Sequence, residues 1–209
     1  PSRKGSCAQN FLEGFRGLVQ CDGYQGYNKL EDVILVCCLA HARRKFFEAV
    51  PAARRKRLKL LDINSDEAIE DINLPDEEEA KQLLPAEIGL LYCNKLFYLE
   101  RTLKDLNPEE RKQQRDVLEQ PVWDQFWNWL DTLHPTGGSK LGKAVNYAQN
   151  HHDTLMNYLL DGRCEISNNR AERKAKSYAI GRKAFLFHTS ETGAGASAVM
   201  YSIVETAKA

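Results

Sequence analysis

One stretch of the chain concentrates positive charge around a single carboxylate. Residues 166–187 read ISNNRAERKAKSYAIGRKAFLF and hold six lysines and arginines, with Glu172 as their only acid. Glu172 falls in the first turn of a predicted helix, where it can form a capping box with Asn169 as the N-cap and is favoured by the helix dipole. Arg170 and Arg173 are unfavourably placed for that dipole. We therefore expect a negatively charged partner from outside the chain beside this helix.

A second carboxylate follows a predicted strand. Residues Leu18 to Cys21 are strand-like, and the pair Asp22-Gly23 marks a turn at the strand's end. Open α/β sheets place functional groups at the carboxyl ends of their strands. The alternative is an Asx turn, in which the Asp22 side chain caps the backbone that follows it. The dipeptide alone leaves both interpretations open.

Taken together, Asp22 and Glu172 suggest chemistry on a phosphodiester. Hard cations such as Mg²⁺ bind carboxylate oxygens and keep coordination positions open for phosphate. Lysine and arginine side chains around such a metal would hold a nucleic-acid backbone in place. The sequence therefore predicts a site that combines metal ions with phosphate.

The elements that must position these residues alternate at the start of the chain. Residues 6–15 predict a short helix, Leu18 to Cys21 a strand, and the segment YNKLED a short helical connection. Val33 to Ala40 is a run of eight apolar residues, typical of a central strand buried on both faces of a parallel or mixed sheet. A helix follows from His41. The pattern predicts an α/β fold.

The rest of the chain predicts mostly helices. Residues 51–135 have helical periodicity, with Trp123, Phe126 and Trp127 on one stripe that favours core packing over stacking on bases. We expect one helix that ends at Gly162, a second after Ile166, an extended segment AFLFH at 184–188, and a C-terminal helix after a glycine-containing loop. The predicted organisation is a catalytic core at 1–50 and 151–209, with a helical insertion at 51–150.

Charge is segregated along a chain whose net charge is zero. Residues 1–61 hold 12 lysines and arginines against 5 acids, residues 62–135 hold 7 against 18, and residues 136–209 hold 10 against 6. A polyanion would be attracted to the two basic ends and repelled by the acidic middle. The run from Arg54 to Arg57 could contact phosphate, form a solvated helix face or match the acids that follow it.

The composition also excludes several classes of protein. No apolar run approaches the roughly 20 residues that a membrane span needs, and the N-terminal PSRKGSCAQNF lacks the apolar region of a signal peptide. The six cysteines have no CxxC pair, which favours free thiols in a reducing cytoplasm. Cys37 and His41 are four apart, but the strand-to-helix change between them disfavours a zinc site. His151 and His152 are expected on a solvated helix surface.

Three sequence blocks occur in the order of a known family. The blocks are CDGYQGYN, CCLAHARRKFFEA, and DGRCEISNNRAERKAKSYAIGRKAFLFHTSETGAGASAVMYSIVETAK. Together they closely resemble the insertion-sequence transposases of the "sixty-six" family, the TnpC-type DDE transposases. The resemblance covers about 1–50 and 150–209 strongly and the middle loosely.

This resemblance implies a ribonuclease-H-like (integrase-type) fold, a mixed sheet with helices on both faces. Three acids of such an enzyme bind two Mg²⁺ or Mn²⁺ ions. The second acid matches Asp22 and the third matches Glu172. The first lies upstream of the segment that matches Pro1 to Gly5, so the chain is expected to be a fragment without the N-terminal strands, inactive alone. Phosphate contacts are expected from Arg43, Arg44, Arg170, Arg173, Lys174, Arg182 and Lys183.

The functional expectation is therefore a fragment of a bacterial, cytoplasmic DNA transposase. The intact protein would cleave DNA strands at transposon ends and join them to target DNA. A homo-oligomer and accessory transposition proteins are expected partners. One alternative is a non-catalytic nucleic-acid-binding accessory protein derived from a transposase. Another is a helical scaffold in which Glu172 serves only as a capping residue.

Overall fold

Two short parallel strands form the sheet of the described residues. The computed structural model describes residues 5–55, 72–185 and 190–208, with the backbone alone at residues 182–185. Strand β1 (Gly17–Cys21) pairs with strand β2 (Val33–Cys37) in a register that aligns Gly17 with Val33 and Cys21 with Cys37. Both strands therefore end at the same edge, where Asp22 begins the next segment.

Eleven helices account for most of the described chain. They are α1 (Gly5–Phe11), α2 (Leu39–Ala49), α3 (Ala52–Arg55), α4 (Glu77–Gln82), α5 (Pro85–Thr102), α6 (Pro108–Leu118), α7 (Gln120–Asp131), α8 (Lys140–Asn150), α9 (His152–Met156), α10 (Asn169–Phe185) and α11 (Glu191–Ala207). Short 3-10 turns occupy Gln25–Lys29 and Asn157–Leu160. The fold is thus α/β, as the sequence predicted, and mostly helical. None of the described helices is long and apolar enough to cross a membrane.

The described chain divides into two compact units, Pro1–Ser167 and Asn168–Ala209. The first contains both strands and helices α1 to α9, and the second consists of α10 and α11. Asp22 belongs to the first unit and Glu172 to the second. The predicted division at residues 50 and 150 stays a prediction. The described residues between α2 and α8 form helices and loops without a strand.

The core of the first unit is built around helix α2, which packs on α5 and α8. Phe46 of α2 is completely buried, and its ring lies edge-on to Phe126 of α7 at 6.1 Å between centroids. A methyl group on Gly89 of α5 would lie 2.5 Å from the Phe46 ring, so the two helices cross closely only because residue 89 is glycine. Trp123 and Phe126 are buried and Trp127 partly so, which confirms the expected core stripe.

Several predicted boundaries are wrong. Strand β2 ends at Cys37 rather than continuing to Ala40, because Cys38 is the N-cap residue of α2 and the chain turns into that helix at Leu39. Ile34 is 44% exposed, so the strand is not buried along both faces. The helix predicted to end at Gly162 is interrupted at His151, whose dihedral angles (φ −120°, ψ 21°) are not helical.

The C-terminal expectations also need correction. Ala184 and Phe185 are the last residues of α10 rather than extended, and residues 186–188 lie outside the described residues. Gly193 and Gly195 fall inside α11 rather than in a loop before it. The helix begins there because Ser190 caps it, accepting a hydrogen bond from the Gly193 N–H at 3.0 Å.

Candidate functional site

Asp22 occupies the position that the sequence predicted, directly after the last residue of β1. Its side chain is exposed, and Oδ1 accepts a hydrogen bond from the Tyr24 N–H at 3.0 Å. This is the Asx turn considered from the sequence. Gly23 has φ +77°, a conformation that glycine adopts without strain. Asp22 therefore combines an exposed carboxylate at the sheet edge with a locally fixed turn.

Helix α8 supplies the neighbours of this turn. The Tyr147 hydroxyl donates a hydrogen bond to the Asp22 carbonyl oxygen at 3.3 Å. Burial raises the pKa of Tyr147, so its hydroxyl keeps the proton that it donates. A methyl group placed on Gly23 would lie 2.9 Å from the Tyr147 hydroxyl oxygen and 3.1 Å from His151 Nε2. The backbone after β1 thus packs directly against two side chains from the helical part of the chain.

His151 connects the same turn to the end of β2. Its Nδ1 lies 3.6 Å from the Cys37 sulfur, and its ring lies 4.6 Å from that of Tyr147 between centroids. The residue is partly buried, so its expected place on a solvated helix surface is wrong. Burial lowers the pKa of His151, and the nearby positive charge of Lys45 lowers it further. The imidazole is therefore neutral at neutral pH.

Cys21 and Cys37 are register partners at the ends of the two strands. Their sulfur atoms lie 4.0 Å apart in a buried contact. The hydrogen bond between these thiols lowers the pKa of Cys37 to about 7, while the same contact raises that of Cys21. Neither sulfur forms a disulfide. Within the part of the chain that the structure describes, no three His, Cys, Asp or Glu side chains are arranged to hold a metal ion.

Helix α2 places Lys45, rather than Arg43, against the tyrosine that contacts the Asp22 turn. Lys45 Nζ lies 4.9 Å from the centroid of the Tyr147 ring. Arg43 points instead toward α5, where its Nε donates to Asn94 Oδ1 at 2.6 Å. Arg44 is exposed. Sequence reasoning missed Lys45 because the run Arg43-Arg44-Lys45 gives no indication of which side chain faces α8.

Glu172 lies in the first turn of α10 and is exposed. The helix begins at Asn169, and the Glu172 N–H donates to the Asn168 carbonyl at 3.0 Å. Asn169 is thus the first residue of the helix, whereas the capping box predicted from the sequence needs Asn169 as the N-cap residue just before the helix. Because Asp22 and Glu172 belong to separate compact units, their meeting in one site stays a prediction.

The basic residues of α10 differ in their surroundings. Lys174 faces α11, with Nζ 3.4 Å from Glu205 Oε2 and 3.2 Å from the Glu205 carbonyl oxygen. Tyr178, one turn later, lies edge-on to Tyr201 at 5.2 Å. Arg170 and Arg173 are exposed. The side chains of Arg182 and Lys183 lie outside the described residues.

Lys176 is a basic residue of α10 that the predicted phosphate contacts did not include. It is exposed and four positions after Glu172, which places both residues on one face of the helix. Lys174 is two positions from each of them and so lies on another side. The spacing alone could have identified Lys176 once the face toward α11 was known.

Arg54, the first residue of the basic run from Arg54 to Arg57, forms an ion pair with an acid of this chain. Arg54 Nε lies 2.8 Å from Glu87 Oε1, and Glu87 is only 3% exposed on its side chain. Arg55 donates to the carbonyl oxygens of Val50 and Glu48. These contacts support the charge-matching interpretation for Arg54. Lys56 and Arg57 lie outside the described residues.

Comparison with known proteins gives one family and three similar sequences. The family model described as "Transposase IS66 family" matches residues 1–196. The uncharacterized protein y4hP of Sinorhizobium fredii is 30% identical over 216 residues, which is 99% of this chain and 36% of that protein. Uncharacterized proteins y4jD and y4qI of the same organism are 29% and 27% identical. The chain thus spans little more than a third of these relatives. No solved structure matches it.

Proposed function

Because the chain belongs to the Transposase IS66 family, we propose that it forms part of the catalytic domain of a DNA transposase. In the intact protein this domain cleaves DNA strands at the ends of an insertion sequence and transfers them to target DNA. The family match over residues 1–196 is the observation that carries the proposal. The relatives extend well beyond the matched part, so the activity belongs to the full-length protein.

Asp22 and Glu172 are the two proposed catalytic acids of this chain. Each has an exposed side chain, one at the carboxyl end of a strand and one in the first turn of a helix. Carboxylate oxygens suit Mg²⁺ or Mn²⁺, and two acids leave a two-metal site in need of a further one. We propose that another part of the full-length protein supplies that acid.

Metal ions bound there would activate the attacking oxygen and stabilise the departing one during in-line displacement at phosphorus. The chain itself would orient its two carboxylates and hold the DNA backbone. The side chains of Arg44, Arg170 and Arg173 are exposed, and we propose that they contact phosphates. We also propose phosphate contacts from Arg43, Lys174, Arg182 and Lys183. Two of these would exchange a partner within the chain for DNA, since Arg43 contacts Asn94 and Lys174 contacts Glu205.

The proposed fold is ribonuclease-H-like. Strands β1 and β2 would be two neighbours in a larger mixed sheet, and helices α3 to α8 would form the insertion within it. The parallel register and the position of Asp22 at the strand end support this arrangement. Pairing of two transposon ends would require a homo-oligomer, and action on chromosomal DNA would take place in the bacterial cytoplasm.

The test uses the full-length protein and oligonucleotides that carry the ends of its own insertion sequence. Strand cleavage with Mg²⁺ or Mn²⁺ is compared between the parent, Asp22→Asn and Glu172→Gln. Glu191→Gln is a matched control, because Glu191 is an exposed acid in the first turn of α11. We expect both catalytic variants to bind the DNA and to lose cleavage at least 10³-fold, as expected when a group on the reaction pathway is removed.

Two outcomes would contradict the proposal. Cleavage that survives in either variant would remove that residue from the active site. A parent protein that binds the ends but never cleaves them, in the presence of either metal, would favour the non-catalytic accessory protein instead.

A further inference from the structure

We propose that Tyr147 is a positioning residue for Asp22, so that helix α8 takes part in forming the catalytic site. The inference rests on the proposed function of Asp22 and extends it to a helix of the predicted insertion. It assigns to that helical segment a role in holding one catalytic acid at the sheet edge.

The contact joins two distant parts of the chain. The Tyr147 hydroxyl donates to the Asp22 backbone carbonyl at 3.3 Å, across 125 residues of sequence. Among the described residues, the Asp22 carboxylate accepts a hydrogen bond from the Tyr24 N–H of its own turn. Tyr147 adds a long-range restraint on the backbone from which the carboxylate projects.

Close packing on the next residue strengthens this restraint. At Gly23 an added methyl group would lie 2.9 Å from the Tyr147 hydroxyl oxygen and 3.1 Å from His151 Nε2. A contact under 3.0 Å is shorter than side-chain carbons normally make, so the turn lies directly on α8. His151 in turn lies 3.6 Å from the sulfur of Cys37, at the end of the neighbouring strand.

Helix α8 is a rigid support for these contacts. Its residues Ala144, Val145 and Ala148 are almost fully buried, and the helix packs along α2. Lys45 of α2 lies against the Tyr147 ring. A catalytic group must be held within roughly 0.5 Å of its working position by residues that are themselves fixed. Tyr147 is suited to that role because its helix is anchored in the core.

The experiment replaces only the hydroxyl group. Tyr147→Phe in the full-length protein keeps the ring that contacts Lys45 and His151. Tyr92→Phe is the matched control, since Tyr92 is a half-buried tyrosine of α5 that packs on Phe126 and Trp129. Three quantities are measured: kcat and KM for cleavage of transposon-end DNA, Mn²⁺ affinity from the EPR signal of the free ion, and hydrogen exchange of residues 22–24 without metal.

We expect Tyr147→Phe to lower kcat about 10–100-fold, the usual effect of losing a residue that supports a metal ligand. The KM for DNA should stay within about twofold, because phosphate contacts are unchanged. Mn²⁺ affinity should fall in the same range as kcat. Amide exchange at residues 22–24 should be faster than in the parent, and Tyr92→Phe should change none of these values.

The outcomes separate this inference from the proposed function. If Asp22→Asn abolishes cleavage but Tyr147→Phe matches the parent in kcat and in exchange at 22–24, Tyr147 does not position Asp22. Equal losses in Tyr147→Phe and Tyr92→Phe, each with a lowered melting temperature, would likewise overturn it as a general packing effect. If Asp22→Asn still cleaves DNA, the proposed function itself fails.

Discussion

Arg115 Nε lies 2.6 Å from Glu100 Oε1, and both residues are almost completely buried. The same guanidinium group donates to the backbone carbonyls of Tyr158, Asp161 and Cys164 at 2.7–2.9 Å. One side chain of α6 therefore fixes the segment that follows α9. A planar guanidinium with five N–H donors is suited to this arrangement, whereas a lysine ammonium is not.

Replacing Arg115 with lysine is expected to destabilise the protein strongly. The ammonium group could not reach Glu100 and the three carbonyls together, so buried polar atoms would lose their partners. Each buried polar group left without a partner costs about 1–3 kcal/mol. Urea denaturation measures the effect. Arg163→Lys, where the arginine is mostly exposed beside a partly buried Asp161, should lower the midpoint much less. Equal midpoints for the two variants would contradict this role of Arg115.

The buried carboxyl group of Glu119 is expected to make the free energy of unfolding depend on pH. Burial, followed by repulsion from the Glu100 carboxylate, raises the pKa of Glu119 from 4.5 to about 9. The folded protein therefore keeps this proton at pH 5–8, while the unfolded chain releases it. Stability contributed by the protonated group is present below pH 4.5 and is lost as the pH rises toward 9.

The variant Glu119→Gln removes this titration and keeps an acceptor for the Tyr158 hydroxyl. Its unfolding free energy should rise relative to the parent as the pH increases from 5 to 8, by up to about 1.4 kcal/mol per pH unit. Urea titrations at several pH values measure the difference. Glu110→Gln, at an exposed position of α6, is the control. A difference that stays constant with pH would mean that Glu119 is ionised in the folded protein.

We predict that glycine is required at position 162 because the backbone at Pro108 passes very close to it. A methyl group at this position would lie 1.9 Å from the Pro108 carbonyl oxygen at the start of α6. Because the clash is with backbone, the chain must shift, and such overpacking costs about 1–3 kcal/mol. Thermal denaturation of Gly162→Ala should show this loss. Gly137→Ala, where nothing lies within 4 Å of the added methyl, should melt like the parent.

Lys176 is predicted to contribute more to DNA binding than Lys174. Lys176 is exposed on the face of α10 that carries Glu172, whereas Lys174 is paired with Glu205. Lys176→Gln should weaken binding to all DNA sequences and reduce the salt dependence of log K by about one. Fluorescence anisotropy at several salt concentrations measures both quantities. If Lys174→Gln has the larger effect, the Glu205 pair opens in the complex and this assignment is wrong.

Local sequence patterns predicted those strands and helices that are specified by residues within the segment itself. The alternation of strand and helix over the first fifty residues is confirmed for β1, β2 and α2, because turn residues and apolar runs mark them. The pattern failed at the ends of elements. The apolar run continues past the end of β2 into α2, where the Leu39 N–H donates to the distant Ile166 carbonyl, and non-helical dihedral angles at His151 interrupt a periodic helix.

The site shows the same division between local and distant information. The sequence by itself determined that Asp22 follows a strand, that Glu172 begins a basic helix, and that the three blocks belong to one family. Only the tertiary structure decided which basic side chains contact a partner within the chain. Arg43 contacts Asn94, Arg54 contacts Glu87, and Lys174 contacts Glu205. The tertiary structure also brought Tyr147 to Asp22. These partners lie 31 to 125 residues apart, and local periodicity carries no information about which distant side chain will meet them.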